Sequence, residues 1–381
     1  MKIVFWGKYI DTYLTDTLLR LEELVGEPVR YALVEESFTR RDVAADRAVV
    51  NSSQVVILKQ GRFFKQSNRI LQENREAMHV FLSFWGDKRL FRVLLRALWC
   101  RQQVAVIFEP YASVPVGYWR DEGQLHSQLK VWGRRFAYRG LWPLTRLFSR
   151  GKLPCVLAVS PLAEQQLRCI GFRDEVIYPF GYFVERKSVE PAAVDGAKAL
   201  RVVFSGSFIK RKGADILIAA IRRVNGTKIN VLLDLYGPGQ VQRFVTGDVP
   251  GVCYRGTYPQ ADAQQVISGY DLLVVPSRHE GWGLVVNEAL MQGVPVLASD
   301  RVGAGCLLDH SGAGIIFRSG DIAGLSTLLT ELASNRARLN EMVVACTRVR
   351  ERITPALGAD YLKQVIDHHF GGTGDRPKPG W

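Results

Sequence analysis

Short apolar runs alternate with amphipathic stretches along most of the chain. In the second half, runs at Arg201–Phe204, Asn230–Leu235, Val252–Tyr254, Asp271–Val275, Pro295–Ala298 and Gly314–Phe317 predict strands. Apolar residues at helical spacing fall between them, as over Ala214–Val224 and Ile322–Ala333. The first half predicts strands at Lys2–Trp6, Val29–Val34, Gln54–Leu58, His79–Phe84, Gln103–Phe108 and Val156–Ser160. Such alternation implies parallel sheets covered by helices on both faces. It divides into two Rossmann-like halves, with the crossing placed near Tyr178, Pro179, Phe180, Gly181 and Tyr182 and the polar stretch after them. Sites in such folds lie at the carboxyl ends of the strands, here in the cleft between the halves.

One segment is richer in chemistry than the rest. The apolar run Leu272–Val275 stops at Pro276 and leads through Glu280, Gly281, Trp282 and Gly283 into Leu284–Leu290, read as strand, glycine loop and helix. A glycine loop opening a helix offers unpaired N–H groups and the positive end of the helix dipole, a ready phosphate site. Glu280 stands in the loop and Glu288 about a turn inside the helix. Carboxylates repel phosphate, so their natural partners are sugar or ribose hydroxyls, because a carboxylate accepts two hydrogen bonds from a diol. Together these groups suit a nucleotide-sugar.

From Asp271 to Ser299 the chain resembles the carboxyl-terminal domain of retaining GT-B glycosyltransferases of the large group 1, or family 4, with its Glu-x7-Glu motif. The resemblance is long and specific there, looser from about Val202 to the C-terminal helices, and faint in the first half. It implies an α/β fold of the GT-B kind, two Rossmann-like domains with parallel sheets facing across a cleft. It also implies that Glu280 lies near the transferred sugar, that Glu288 holds the ribose, and that N–H groups near Gly283 and Leu284 face the diphosphate. Gly281, Trp282 and His279, which adjoins Glu280, fall in the same nucleotide-sugar loop.

A second loop supports the first. Val202–Phe204 leads through Ser205, Gly206, Ser207, Lys210, Arg211, Lys212 and Gly213 into a helix from Asp215. The family usually has Gly-Arg early in this loop and Lys-Gly at its end; Lys212 and Gly213 match the end, while Ser207 stands where the arginine usually is. Cleaving a sugar–diphosphate bond leaves negative charge on the departing phosphate, which an enzyme without a metal neutralises with Lys, Arg and helix N-termini. Lys212 with Arg211 or Lys210 is expected to do this here. In the first half, relatives often carry a histidine after a central strand. This chain has Glu109 there instead, with His126 farther along, and both are candidates for the acceptor side.

Other chemistries find little support. Gly237–Gly239 and Gly303–Gly305 lack the third glycine of a dinucleotide fingerprint, positions 242 and 308 being Gln and Leu. No P-loop string, Asp-x-Asp pair or spaced His/Cys cluster occurs, so neither a metal nor a cofactor is expected beyond the sugar donor itself. Six scattered cysteines without a Cys-x-x-Cys suggest a reducing compartment. The start reads as a buried strand rather than a secretory signal, and no apolar stretch is long enough to span a bilayer.

Charge adds a partner. The net charge is +13, with 29 Lys and Arg against 20 Asp and Glu in residues 1–190, and 21 against 17 in 191–381. From Gly123 to Ala163 there is no acidic residue, while Lys130, Arg134, Arg135, Arg139, Arg146, Arg150 and Lys152 are interleaved with Trp132, Phe136, Tyr138, Trp142, Leu147 and Phe148. Residues 88–99 form a second basic helix, with Arg89, Arg92 and Arg96 on one face and Phe91, Leu94, Leu95 and Leu98 on another. Segments 88–99 and 123–152 suit an anionic membrane surface, and no nucleic-acid fold signature accompanies them.

The expected organisation is an acceptor-binding domain over 1–185 and a nucleotide-sugar-binding domain over 186–350. A helix over 351–370 packs back on the first, and 371–381 is a flexible tail. The expected activity is metal-independent, retaining transfer of a sugar from a nucleoside diphosphate to a hydroxyl of a lipid-linked or surface glycan, at the cytoplasmic face of the membrane. Two alternatives stay open: a non-catalytic nucleotide-sugar or glycan-binding subunit, and a soluble transferase with a small acceptor.

Overall fold

The computed structural model describes residues 1–8, 12–34, 52–84, 87–112, 124–189, 199–226, 231–245, 247, 249–372 and 374–381. Contacts divide the chain into two compact units. Unit 1 comprises Met1–Pro110, Arg134–Phe183 and Pro355–Gly380; unit 2 comprises Tyr111–Gly133, Val184–Thr354 and Trp381.

Unit 1 is built on strands β1 (Ile3–Gly7), β2 (Val29–Leu33), β3 (Val55–Ile57), β4 (Met78–Leu82), β5 (Gln103–Phe108), β6 (Cys155–Val159) and β7 (Ile177–Phe180). All pairings are parallel, in the order β3-β2-β1-β4-β5-β6-β7. Central strands of such a sheet are covered on both faces and must be apolar throughout, which explains why β1 and β6 are buried at every position. Its helices are α1 (Thr12–Val25), α2 (Phe63–Glu73), α3 (Lys88–Trp99), the end of α4 (Gln124–Arg139) from Arg134 on, α5 (Leu141–Ser149) and α6 (Pro161–Cys169). Asp87 caps α3 by accepting from the Arg89 N–H at 2.7 Å.

The region read as the crossing between the halves begins instead with a strand, since Ile177–Phe180 pairs along β6 from Val156 to Val159. A proline inside a run argues against a central strand, but at a sheet edge the missing N–H faces away from the ladder. Pro179 sits in this edge strand; Phe183 is the last residue of unit 1 here and Val184 the first of the long unit 2 segment. The segment read as a loose tail is also tied down in part. Arg376 lies 4.3 Å over the Tyr178 ring and donates to the carbonyls of Asp174, at 2.7 Å, and Ile177.

Beyond residue 350 a helix, Pro355–Gly371, packs along α1. Gly358 makes room for Phe183, since a Cβ there would stand 2.4 Å from its ring.

Unit 2 repeats the scheme with β8 (Leu200–Ser205), β9 (Val231–Tyr236), β10 (Val252–Gly256), β11 (Leu272–Val275), β12 (Val296–Ser299) and β13 (Gly314–Phe317). The sheet is parallel, in the order β10-β9-β8-β11-β12-β13. Helices α7 (Ala214–Asn225), α8 (Ala263–Ile267), α9 (Leu284–Met291), α10 (Ile322–Ser334) and α11 (Arg336–Arg350) connect the strands or follow them; the helix Pro355–Gly371 is then α12. One face of this sheet and the inner faces of α7 and α10 share a core of Leu200, Val202, Leu217, Ile221, Leu233, Leu325 and Leu329. The chain thus has the two-domain α/β architecture of GT-B proteins. Among the described residues no helix is long and apolar enough to cross a membrane.

A buried pair locks the centre of unit 1. Trp6 on β1 donates its indole N–H to His79 Nδ1 on β4 at 3.0 Å. The acceptor nitrogen carries no proton, so Nε2 does, and it donates to the Asn74 carbonyl at 3.1 Å. Burial lowers the His79 pKa from 6.5 to about 4. The unfolded chain therefore takes up a proton first as the pH drops, and the stability from neutral His79 is complete above about pH 6.5 and lost towards pH 4. Denaturant titrations between pH 7.5 and 4.5 should show a loss of about 2–3 kcal/mol from this group. The His79→Gln variant, which cannot titrate, should lose correspondingly less; equal pH slopes would contradict the assignment.

Candidate functional site

In unit 2 the strand order reverses between β8 and β11, which pair with each other while their chain continuations lead to opposite sides. A parallel α/β sheet leaves a crevice outside the carboxyl ends of its strands at such a switch point. The two loops singled out in the sequence are those that follow β8 and β11. They meet closely. Gly213, with φ +73°, begins α7 where the Pro276 carbonyl passes, and a Cβ at Gly213 would stand 2.1 Å from that oxygen. The Arg278 N–H donates to the Arg211 carbonyl at 2.7 Å. The Arg278 guanidinium forms a two-pronged pair with Asp215 at 2.6 and 2.7 Å and also donates to the Lys210 carbonyl at 2.7 Å. Arg278 and Asp215 were not singled out from the sequence; they are 63 residues apart and nothing local to either marks the pair.

Lys212, Arg211 and Glu280 converge at this junction. The Lys212 ammonium donates to Glu280 Oε2, and Arg211 Nη1 reaches the same oxygen at 3.3 Å while donating to the His279 carbonyl at 2.8 Å. Arg211 and His279 are buried, and Lys212 and Glu280 are half-buried. Burial pushes the Glu280 carboxyl up, but the Lys212 and Arg211 charges together outweigh it and hold the group below its usual range. Glu280 is therefore an anion at neutral pH. Gly206 lies beside the Lys212 stem, 3.6 Å from Cδ to the position of a Gly206 Cβ. Ser207 accepts a turn hydrogen bond from the Ile209 N–H on its carbonyl at 2.9 Å.

The second loop is fixed from below. The Glu280 N–H donates to the Arg301 carbonyl at 2.9 Å, the Glu280 carbonyl accepts from Gly303 at 3.0 Å, and the Trp282 carbonyl accepts from Ala304 at 2.8 Å. Buried Trp282 donates its indole N–H to Asn287 at 2.7 Å. Gly281 is half-buried, and Gly283, with φ +99°, begins α9 with the Glu280 side chain against it. Leu284 and Val285 follow, half-buried, and their N–H groups belong to the first helical turn, whose donors have no acceptor inside the helix. The helix dipole adds positive potential there. One turn on, Glu288 is 6% exposed and accepts from the Gln260 amide. Gln260 lies in the turn before α8 and carried no signal in the sequence.

The junction thus brings Gly206, Arg211, Lys212, His279, Glu280 and Gly283 together, while Glu288 and Gln260 meet one turn deeper on α9. The residues proposed for the acceptor side belong elsewhere in the chain. Glu109, at the carboxyl end of β5, is exposed and accepts from the Tyr182 hydroxyl. His126 falls within α4, and its side chain lies outside the described residues.

Residues 199–335 match the family model for glycosyl transferases group 1. The chain is 27% identical over 228 residues to a lipopolysaccharide core biosynthesis glycosyltransferase, LpsE, of Rhizobium meliloti, which covers 58% of this chain and 64% of that protein. It is 25% identical over 242 residues to the amylovoran biosynthesis glycosyltransferase AmsK of Erwinia amylovora, 58% of each chain. The matched region therefore spans about three fifths of these relatives. In structure it is similar to Anabaena Alr3699/HepE, solved in complex with UDP, with a TM-score of 0.73 over 96% of this chain and all of that one at 16% identity. The lipopolysaccharide outer core galactosyltransferase WaaB gives 0.67, at 15% identity over 96% and 99% of the two chains. These matches support a group 1 glycosyltransferase domain over residues 199–335.

Replacing Gly213 tests the junction. Gly213→Ala places a methyl group inside the contact distance of the Pro276 carbonyl at a positive φ, so the loops must separate. The variant should lose about 2–4 kcal/mol in denaturant unfolding. Gly247→Ala, also at positive φ but with open space around the added Cβ, should lose about 1 kcal/mol. Equal losses would show that the close approach does not matter.

Proposed function

We propose that this protein is a retaining, metal-independent glycosyltransferase that moves a sugar from a nucleoside diphosphate to a hydroxyl of a lipid-linked or surface glycan. The observation that carries this reading is the cluster of Lys212, Arg211 and Glu280 beside the first turn of α9, at the switch point of a parallel sheet. The polysaccharide roles of LpsE and AmsK support a glycan acceptor, and the UDP bound by HepE supports a nucleotide donor.

In this mechanism the bond between the anomeric carbon and the diphosphate oxygen breaks, the acceptor hydroxyl oxygen forms the new glycosidic bond, and the hydroxyl proton leaves with the diphosphate or to solvent. The electron pair of the broken bond stays on the diphosphate. Lys212, Arg211 and the α9 N–H groups stabilise that charge as it develops, which is where electrostatic catalysis acts most strongly. Glu280, kept ionised by the same cations, orients the sugar hydroxyls and stabilises the positive charge growing at the anomeric carbon. Glu288 accepts from the ribose diol. A neutral pocket of the same shape would bind the donor without favouring departure of the diphosphate.

The enzyme would work at an anionic membrane, on the cytoplasmic face. The exposure of the two basic segments favours one of them for this role. Leu90, Val93, Leu94, Ala97 and Leu98 of α3 are buried, so most of the apolar face of that helix belongs to the core of unit 1, with Phe91 and Leu95 half-buried and Trp99 at its end 50% exposed. On α4 the opposite holds. Leu129, Trp132 and Phe136 follow at helical spacing and are 61%, 70% and 70% exposed, with Arg139 exposed on the same helix. Leu147 on α5 is 66% exposed. Large apolar side chains left this bare, among cations and without acids, suit the headgroup boundary of an anionic bilayer.

Calorimetry with UDP, GDP and ADP, without divalent metal, should find one diphosphate that binds, and Glu288→Ala should weaken it at least tenfold. With the matching sugar donor, Lys212→Met should lower turnover by about a hundredfold or more, and transfer should persist in EDTA. Donor binding without turnover on any glycan acceptor would favour the binding-subunit alternative. Co-sedimentation with vesicles rich in phosphatidylglycerol should be strong at low salt. The Trp132→Ala/Phe136→Ala variant should lose about tenfold or more of it, having given up two exposed aromatics that would enter the headgroup boundary. Unchanged sedimentation would remove the membrane from the proposal.

A further inference from the structure

Helix α9 and the segment leading through α8 meet through side chains at one-turn spacing on both sides. On one segment these are Gln260 and Gln264, and on the other Glu288 and Gln292. Gln260 donates to Glu288 Oε1, and Gln292 Nε2 donates to Gln264 Oε1 at 2.6 Å. The lower rung is anchored further. Gln264, 4% exposed, accepts from the Lys187 N–H at 2.9 Å and donates to the Glu185 carbonyl at 2.8 Å. Gln292 also donates to the Lys187 carbonyl at 2.9 Å, and the Lys187 ammonium to the Ala261 carbonyl at 2.6 Å. The register of the two segments is therefore set one turn below Glu288 by several hydrogen bonds, which hold Gln260 opposite the carboxylate.

We propose that Gln260 is a positioning residue for donor binding: its amide fixes the Glu288 carboxylate in the orientation that receives the ribose diol. The proposal rests on the assignment of Glu288 to the ribose made above. A glutamate side chain turns about three bonds, and a carboxylate that must meet two hydroxyls at once binds weakly if those turns are free. A donor on Oε1 removes that freedom. A carboxylate offers about four lone-pair directions, so one amide donor leaves capacity for a diol. The neutrality of the amide matters as well. A lysine or arginine at position 260 would hold Glu288 as an ion pair and compete with hydroxyl donors, whereas glutamine orients the anion and leaves its charge for the ligand. The ribose is remote from the breaking bond, so Gln260 should govern donor affinity more than the chemical step.

The test compares UDP with 2′-deoxy-UDP, or the corresponding pair of whichever diphosphate binds the wild type, by calorimetry. The variants are Gln260→Met, Glu288→Ala and the double substitution; methionine keeps the length and removes the donor. Gln260→Met should weaken the ribonucleotide about tenfold and the deoxynucleotide much less, so that the preference between them falls towards that of Glu288→Ala. In the Glu288→Ala background Gln260→Met should have no further effect, and kcat with saturating donor should stay within about twofold of wild type. If Glu288→Ala leaves the preference intact, the ribose assignment itself fails. Two results overturn the proposal alone, given a flattened preference in Glu288→Ala. One is a wild-type preference in Gln260→Met; the other is equal weakening of both nucleotides by that substitution, the mark of a merely structural role.

Discussion

The close approach of the loops after β8 and β11 is the constraint on which the site depends. The sheet brings the two strand ends side by side, but strands alone do not decide how loops lie. Gly213 lets the Pro276 carbonyl pass within a distance that any side chain would block, and Arg278 clamps Asp215 and the Lys210 carbonyl across the gap. A two-pronged guanidinium–carboxylate pair fixes orientation as well as distance. Without this junction Lys212 and Glu280, 68 residues apart, have no reason to meet.

The junction also settles an electrostatic problem. Two cations gathered beside a helix N-terminus repel one another and raise the cost of the folded state. Glu280 offsets that repulsion and is itself kept ionised by the cations, despite burial. A diphosphate bound here as proposed would meet groups already in position, and only the partition of their hydrogen bonds would need to change. Preorganised charge of this kind is more effective than charge recruited on binding, because its reorganisation is complete before the reaction starts.

The basic and aromatic segments show how one sequence pattern serves two ends. Segments 88–99 and 124–149 both interleave arginines with large apolar residues. In α3 the apolar side covers the sheet, because the helix lies against β4 and β5. In α4, Tyr138 turns inward, while Leu129, Trp132 and Phe136 remain outside. Amphipathic spacing specifies that a helix has an apolar side; it does not say what covers that side.

Much of the architecture was legible from the chain itself. Parallel strands buried on both faces need continuous apolar runs, and β5 has the bounds read from such a run; β13, at the sheet edge, keeps the predicted bounds as well. The glycines at 213 and 283, the flanking Lys212 and the spacing of Glu280 and Glu288 marked the candidate site, because a positive φ and a helix N-terminus leave local traces in sequence. The edge strand β7 escaped, since Pro179 is a breaker in the middle of a sheet and harmless at its edge. Arg278–Asp215, Trp6–His79 and Gln260–Glu288 escaped for a different reason. Each joins residues 28 to 73 positions apart, and each residue by itself looks ordinary. Local rules act over a few residues and so determined the elements and the kind of chemistry; only the tertiary structure decided the partners, because side-chain pairing depends on strand order and register that the local pattern does not contain.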